Sequence, residues 1–206
     1  MNIFNQRPNG SALASGAIKR RRCLVVLAPA LVLGMAMVPV NLSAAETGGM
    51  EQFYHHFQTP EAFVSEAFDG ASPTLKVLQL DEQKQARIST VFGRRYPQQR
   101  LRYWASGGRT AWIFDDIGKE GYVPTTAGFV VNNGVLEHVR VLTYRESRGE
   151  QVGEMSFLKQ LFGAKANGDG LDRQVDNISG ATYSVKMMQR MSRTAIELDA
   201  LVPGDG

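Results

Sequence analysis

Near the C-terminal end the chain reads Asp176-Asn177-Ile178-Ser179-Gly180-Ala181-Thr182, followed by Tyr183-Ser184. This stretch combines a carboxylate, hydroxyls and small residues. From Val185 the apolar positions Val185, Met188, Met191, Ala195 and Leu198 recur at helical spacing, which predicts an amphipathic helix directly after the motif. Ser179 is the expected N-cap, since its oxygen can accept an orphan amide hydrogen of the first turn. Thr182 then falls within that turn, where free N–H groups and the positive end of the helix dipole suit a phosphate. Gly180 and Ala181 leave little bulk to obstruct a ligand lying along the backbone.

A second stretch carries two glycines in a polar loop. Glu146-Ser147-Arg148-Gly149-Glu150-Gln151-Val152-Gly153 precedes a predicted short helix, Ser156-Phe157-Leu158-Lys159-Gln160-Leu161. Its glycines would let the backbone come close to a ligand; its plainer reading is a surface connection. His55-His56 is an unpromising metal pair, because adjacent side chains point in different directions and the three histidines, His138 being the third, have no carboxylate cluster at ligand spacing. Asn167-Gly168-Asp169-Gly170 reads as a flexible connection and lacks the ligand pattern of a calcium loop. The single cysteine, Cys23, excludes an internal disulfide, a Cys-rich metal site and Cys-based haem attachment. Electron transfer would need an organic cofactor.

The elements that must position these residues change character along the chain. Thr59-Pro60 opens a predicted helix that ends near Asp69-Gly70, and Asp81 opens another that runs to Phe92 and stops at Gly93. Leu75, Val77 and Gln79 form a weak alternating strand between them. From Leu101 the period is two. Leu101–Ala105 and Thr110–Phe114 flank a Ser106-Gly107-Gly108 turn, and Ala127–Val131 and Val135–Tyr144 flank Asn132-Asn133-Gly134. The expected fold class is therefore α+β, an antiparallel sheet with flanking helices.

The formal charge of +3 misleads. The first 45 residues hold five basic residues and no acid, leaving 18 basic against 20 acidic beyond them, which gives a nucleic-acid partner little electrostatic support. Lys19-Arg20-Arg21-Arg22, the apolar stretch Cys23–Val40 and Ser43-Ala44-Ala45 follow the order of a secretory signal. The apolar stretch is also about long enough to span a bilayer. Residues 1–45 are thus expected to be a signal peptide or membrane anchor, with the rest exported. Residues 46–100 are expected to be a short, mainly helical segment, and 101–206 the principal domain.

Ser-Gly-Ala-Thr with Asp three residues before the Ser resembles the flavinylation motif of the FMN-binding domain family. That domain occurs in the C subunit of the sodium-pumping NADH:quinone oxidoreductase and the G subunit of the Rnf complex. The resemblance runs from about Gly118 to Leu198, because the hairpin, the Glu-Ser-x-Gly loop, the second glycine and the Phe-Leu helix follow the family order. Asn177 stands where the family usually has a small residue, Arg148 replaces a proline, and the loop is longer before Gly153. The resemblance implies FMN joined to Thr182 by a phosphoester, placed there by a flavin transferase that uses FAD and magnesium. It implies that Asp176, Ser179, Gly180 and Ala181 shape or present the motif, and that Ser147, Gly149 and Gly153 lie against the ring. The expected function is an exported electron carrier, in the periplasm or at the outer face of the cytoplasmic membrane, serving a membrane or periplasmic redox partner. A non-redox binding module and the flavin subunit of a small-acceptor reductase stay open beside it.

Overall fold

The computed structural model describes residues 54–119 and 123–202; the signal or anchor segment lies outside them. Their framework is a six-stranded antiparallel sheet of order β1-β6-β5-β4-β3-β2. The strands are β1 (His55–His56), β2 (Thr74–Gln79), β3 (Arg100–Ser106), β4 (Arg109–Asp116), β5 (Thr125–Asn132) and β6 (Val135–Tyr144). The helices are α1 (Pro60–Ala67), α2 (Glu82–Phe92), α3 (Met155–Leu158) and α4 (Thr182–Asp199). The α+β expectation therefore holds for the sheet and its helices.

Both predicted hairpins form for a local reason. Gly107 and Gly108 take φ of 59° and 79°, and Asn133 and Gly134 take 50° and 75°. Two consecutive positive φ values match the right-handed twist of the flanking strands, and Gly and Asn reach them most easily. Residues of the expected helical segment 46–100 supply both helices and the two edge strands: β1 pairs with β6, and β2 with β3.

Alternation places the strand side chains on two unequal faces. Trp112 and Phe114 point into the larger core, with Tyr103, Phe129, Val139 and Val141, under α2, α3 and α4. Ala111, Val130 and Leu142 point the other way, to Phe63 and Ala67 of α1. Phe63 sits on Gly128, where an added β-carbon would lie 2.6 Å from its ring. Trp112 is fully buried and stacks on Tyr103 at 4.6 Å between centroids.

Helix α4 is the central helix. The five apolar positions of its predicted stripe are all buried, and so are Met187, Ser192, Thr194 and Ile196. It is covered by the sheet on one side, by α2 on another, and by a small hairpin of β7 (Ala166–Asn167) and β8 (Gly170–Leu171). That hairpin is a correction, since the Asn167–Gly170 stretch turns through Gly168 at φ 56° instead of wandering. Arg193 Nε donates to Gly168 O at 3.0 Å and holds the hairpin on α4. At its far end Asp199 accepts from Thr110 Oγ1 at 2.7 Å and Gly134 N–H at 3.1 Å, so the helix is pinned to both hairpins.

Candidate functional site

The motif enters α4 through a tight turn. Ala181 N–H donates to Ile178 O at 2.9 Å. Gly180, the third residue of that turn, has φ 81°, a value that makes glycine the natural occupant. The first helical bond is Val185 N–H to Ala181 O at 3.0 Å. The helix therefore starts at Thr182, with Ala181 as its cap residue and no side-chain cap. Ser179 is not the N-cap: the Ile178–Ala181 turn sets it two residues too early, and its side chain is exposed.

Thr182 is exposed at the first helical position, and its Oγ1 accepts from Asn177 Nδ2 at 2.9 Å. The N–H groups of Thr182, Tyr183 and Ser184 precede the first helical bond, so they have no acceptor within the helix. Ser184, only two residues on, is buried and cannot serve as an accessible acceptor hydroxyl.

The loop before α3 meets this turn from the other side. Ser147, Arg148, Gly149, Glu150 and Gln151 line one depression with Ser179, Gly180 and Ala181. Its volume is about 220 Å³, below the roughly 300–1,000 Å³ of closed small-molecule pockets. A planar group here would lie on an open surface. Asp176 faces a neighbouring depression of about 260 Å³, shared with Gln151, Glu154, Ser156, Gln160 and Asn177. Asp176 N–H donates to Gln160 Oε1 at 2.8 Å, which ties the motif to the turn after α3.

The two loop glycines serve the protein's own packing. Gly149 has φ 97°, and a β-carbon there would lie 2.5 Å from Ser184 Oγ and 2.7 Å from Tyr144 Oη. Gly153 lies under Phe57, where a β-carbon would come within 2.5 Å of the ring. Gly153 does not line the depression with Gly149.

Beneath the depression is a buried polar cluster that sequence reading missed. Glu146 is 5% exposed; its Oε1 accepts from Gly118 N–H at 2.9 Å, and its Oε2 accepts from Ser184 Oγ at 3.3 Å and Tyr144 Oη at 3.2 Å. Tyr144 Oη also contacts Arg148 O, so its one proton is shared between that carbonyl and Glu146, and it lies 2.9 Å from Ser184 Oγ. Burial pushes the Tyr144 hydroxyl well above its ordinary pKa, with Glu146 adding to the rise and Ser184 opposing it, so it stays protonated. The cluster joins the end of β6, the loop and the first turn of α4. The legible signal was the position of Glu146 at the head of the loop motif and of Ser184 two residues after Thr182.

Taken together, the donor set fits a phosphorylated planar cofactor. An exposed hydroxyl lies in the first turn beside outward N–H groups, Gly180 has no atom within 4 Å of where a β-carbon would stand, and an open shelf adjoins the turn. No cluster suited to a metal ion occurs among the described residues. Residues 118–197 match the FMN-binding domain family. No curated protein and no solved structure matches the chain. Residues 118–197 thus form an FMN-binding domain, which supports flavin binding by this part of the chain.

Proposed function

We propose that the protein is an exported electron carrier in which FMN is joined to Thr182 Oγ1 through a phosphoester. The observation that carries this reading is the meeting of the 147–151 loop with Ser179, Gly180 and Ala181 in one open depression, immediately before the exposed Thr182. When bound, FMN supplies reversible transfer of one or two electrons.

The chain's own residues supply the rest. Thr182 tethers, so the cofactor is not lost by dilution outside the cell membrane. The amides at the start of α4 favour a phosphate, as does the helix dipole. The 147–151 shelf supports a ring on one side and leaves the other open to a partner. In this reading the flavin both receives and passes on the electrons. Loading is assigned to a flavin transferase that uses FAD and magnesium. The redox partner is assigned to the periplasm or the membrane surface, in keeping with the basic and apolar leader.

The test is production with a flavin transferase, acid precipitation and peptide mapping. Flavin that stays with the protein, on the peptide holding Thr182, is the expected result. Flavin released to the supernatant overturns covalent attachment. A loaded protein that is neither reduced by small donors nor reoxidised by a quinone or ferric acceptor overturns the carrier role.

A further inference from the structure

We infer that Asn177 is a positioning residue for cofactor attachment: its side-chain amide holds Thr182 Oγ1 in the orientation from which the phosphoester is made. The inference rests on the attachment reading above.

Asn177 Nδ2 reaches across the Ile178–Ala181 turn to Thr182 Oγ1 at 2.9 Å. Both residues are exposed, so burial does not force this arrangement. The segment is held from behind, since Gln160 Oε1 accepts the neighbouring Asp176 N–H at 2.8 Å. The turn is closed by Ala181 N–H to Ile178 O. The backbone on both sides of Asn177 is therefore held, and its side-chain bond to Oγ1 restricts the threonine side chain.

The bond leaves the reacting atom competent. A hydroxyl oxygen has two lone pairs and one proton. Asn177 occupies one lone pair, so the other lone pair and the proton remain available. In the attachment step, Thr182 Oγ1 attacks the FMN-side phosphorus of FAD and forms the Oγ1–P bond. The pyrophosphate P–O bond breaks and AMP leaves with the bridging oxygen. The hydroxyl proton passes to a base on the transferase. Asn177 keeps donating to Oγ1 throughout, because the ester oxygen is still an acceptor. An amide also places no negative charge beside the incoming phosphate, whereas a carboxylate would.

Asn177→Asp separates this role from a structural one. Asp has almost the same shape and suits turns as Asn does, but an ionised carboxylate cannot donate. We expect the maximal loading rate, followed by intact mass with purified transferase, FAD and magnesium, to fall roughly 3- to 10-fold in Asn177→Ala. In Asn177→Asp it should fall at least as far, because repulsion is added. KM for the acceptor protein should stay unchanged. Scalar couplings of Thr182 in the unloaded protein should report one dominant χ1 rotamer in the wild type and averaging in both variants.

Wild-type loading by Asn177→Asp would overturn the inference and leave Asn177 a turn former. A raised KM with unchanged maximal rate would overturn it in favour of a docking contact for the transferase. A wild-type Thr182 already averaged over rotamers would overturn it independently of flavin. Wild-type protein whose flavin maps to another peptide overturns the attachment reading itself, a failure seen before any variant is measured.

Discussion

Gly149 and Ser184 meet at the floor of the site, and the space between them has no room for a methyl group: a β-carbon on residue 149 would lie 2.5 Å from Ser184 Oγ. The glycine of the loop thus lets the loop close onto the first turn of α4. Its backbone, at φ 97°, independently disfavours any side chain.

Gly149→Ala should destabilise the protein by about 2–4 kcal/mol, combining backbone strain and the clash. Thermal or urea unfolding measures this. Adding Ser184→Ala should recover only part of the loss, because the strained φ and the 2.7 Å approach to Tyr144 Oη both remain. Full recovery in the double variant would show that neither of these contributes. Larger substitutions at Gly149 or Gly153 are therefore poor probes of flavin contact, as they disturb packing first.

Thr182→Val should fold like the wild type and carry no acid-stable flavin. The site is exposed and the substitution keeps the branched shape, so the stability change should stay within about 1 kcal/mol, including the lost bond from Asn177. Circular dichroism, together with absorbance of acid-precipitated protein, checks both halves. Flavin retained by Thr182→Val would move the attachment elsewhere.

Asp116 ends β4 with a side chain wholly shielded from solvent. Its Oδ1 accepts from Arg94 at 2.6 Å and its Oδ2 from Arg190 Nε at 2.8 Å, while Arg190 also donates to Ile117 O. The carboxylate thus joins the sheet to the end of α2 and the middle of α4. Asp116→Asn should cost about 3 kcal/mol, the lower end for breaking a buried pair, because both arginines are partly solvated. Denaturant unfolding gives the value. A loss below about 1 kcal/mol would mean that water replaces the bridge.

Glu66 links α1 to β6 through His138 at 3.1 Å and through Arg140. Burial works against its ionisation, but the hydrogen bonds from Gln58 and His138 and the charges of Arg140 and His138 prevail, holding the carboxyl below its ordinary 4.5. A depressed folded pKa gives stability that is present above 4.5 and is lost as pH falls through the folded value. Glu66→Gln should therefore reduce stability at neutral pH and flatten the acid limb of a stability–pH curve. The effect should be small, about 0.2–1 kcal/mol for a partly exposed pair. Parallel curves for variant and wild type would remove Glu66 as a source of acid lability.

Much of the architecture could be read from local chemistry. Thr59 and Asp81 cap α1 and α2 through Ala62 N–H and Lys84 N–H, as capping residues do. The stripe from Val185 to Leu198 settled the buried face of α4, because helical periodicity is carried by residues three and four apart. Asn133-Gly134 and Gly107-Gly108 settled the hairpin turns, because positive φ is a property of single residues. The order of loop, short helix and Ser-Gly-Ala-Thr was enough to indicate the FMN-binding domain. Ser179 loses the cap position to another local feature, the Ile178–Ala181 turn. Tertiary structure alone decided which distant residues meet. His55 and His56 form an edge strand because Tyr144 and Thr143 offer them a free ladder. Gly149 faces Ser184 and Gly153 faces Phe57, while Glu146 is buried between Gly118 and Ser184. These neighbours lie as many as 96 positions apart in the chain, as with Phe57 and Gly153. Their meeting depends on strand register and on how α4 docks against the sheet, and neither is encoded in any short window of residues.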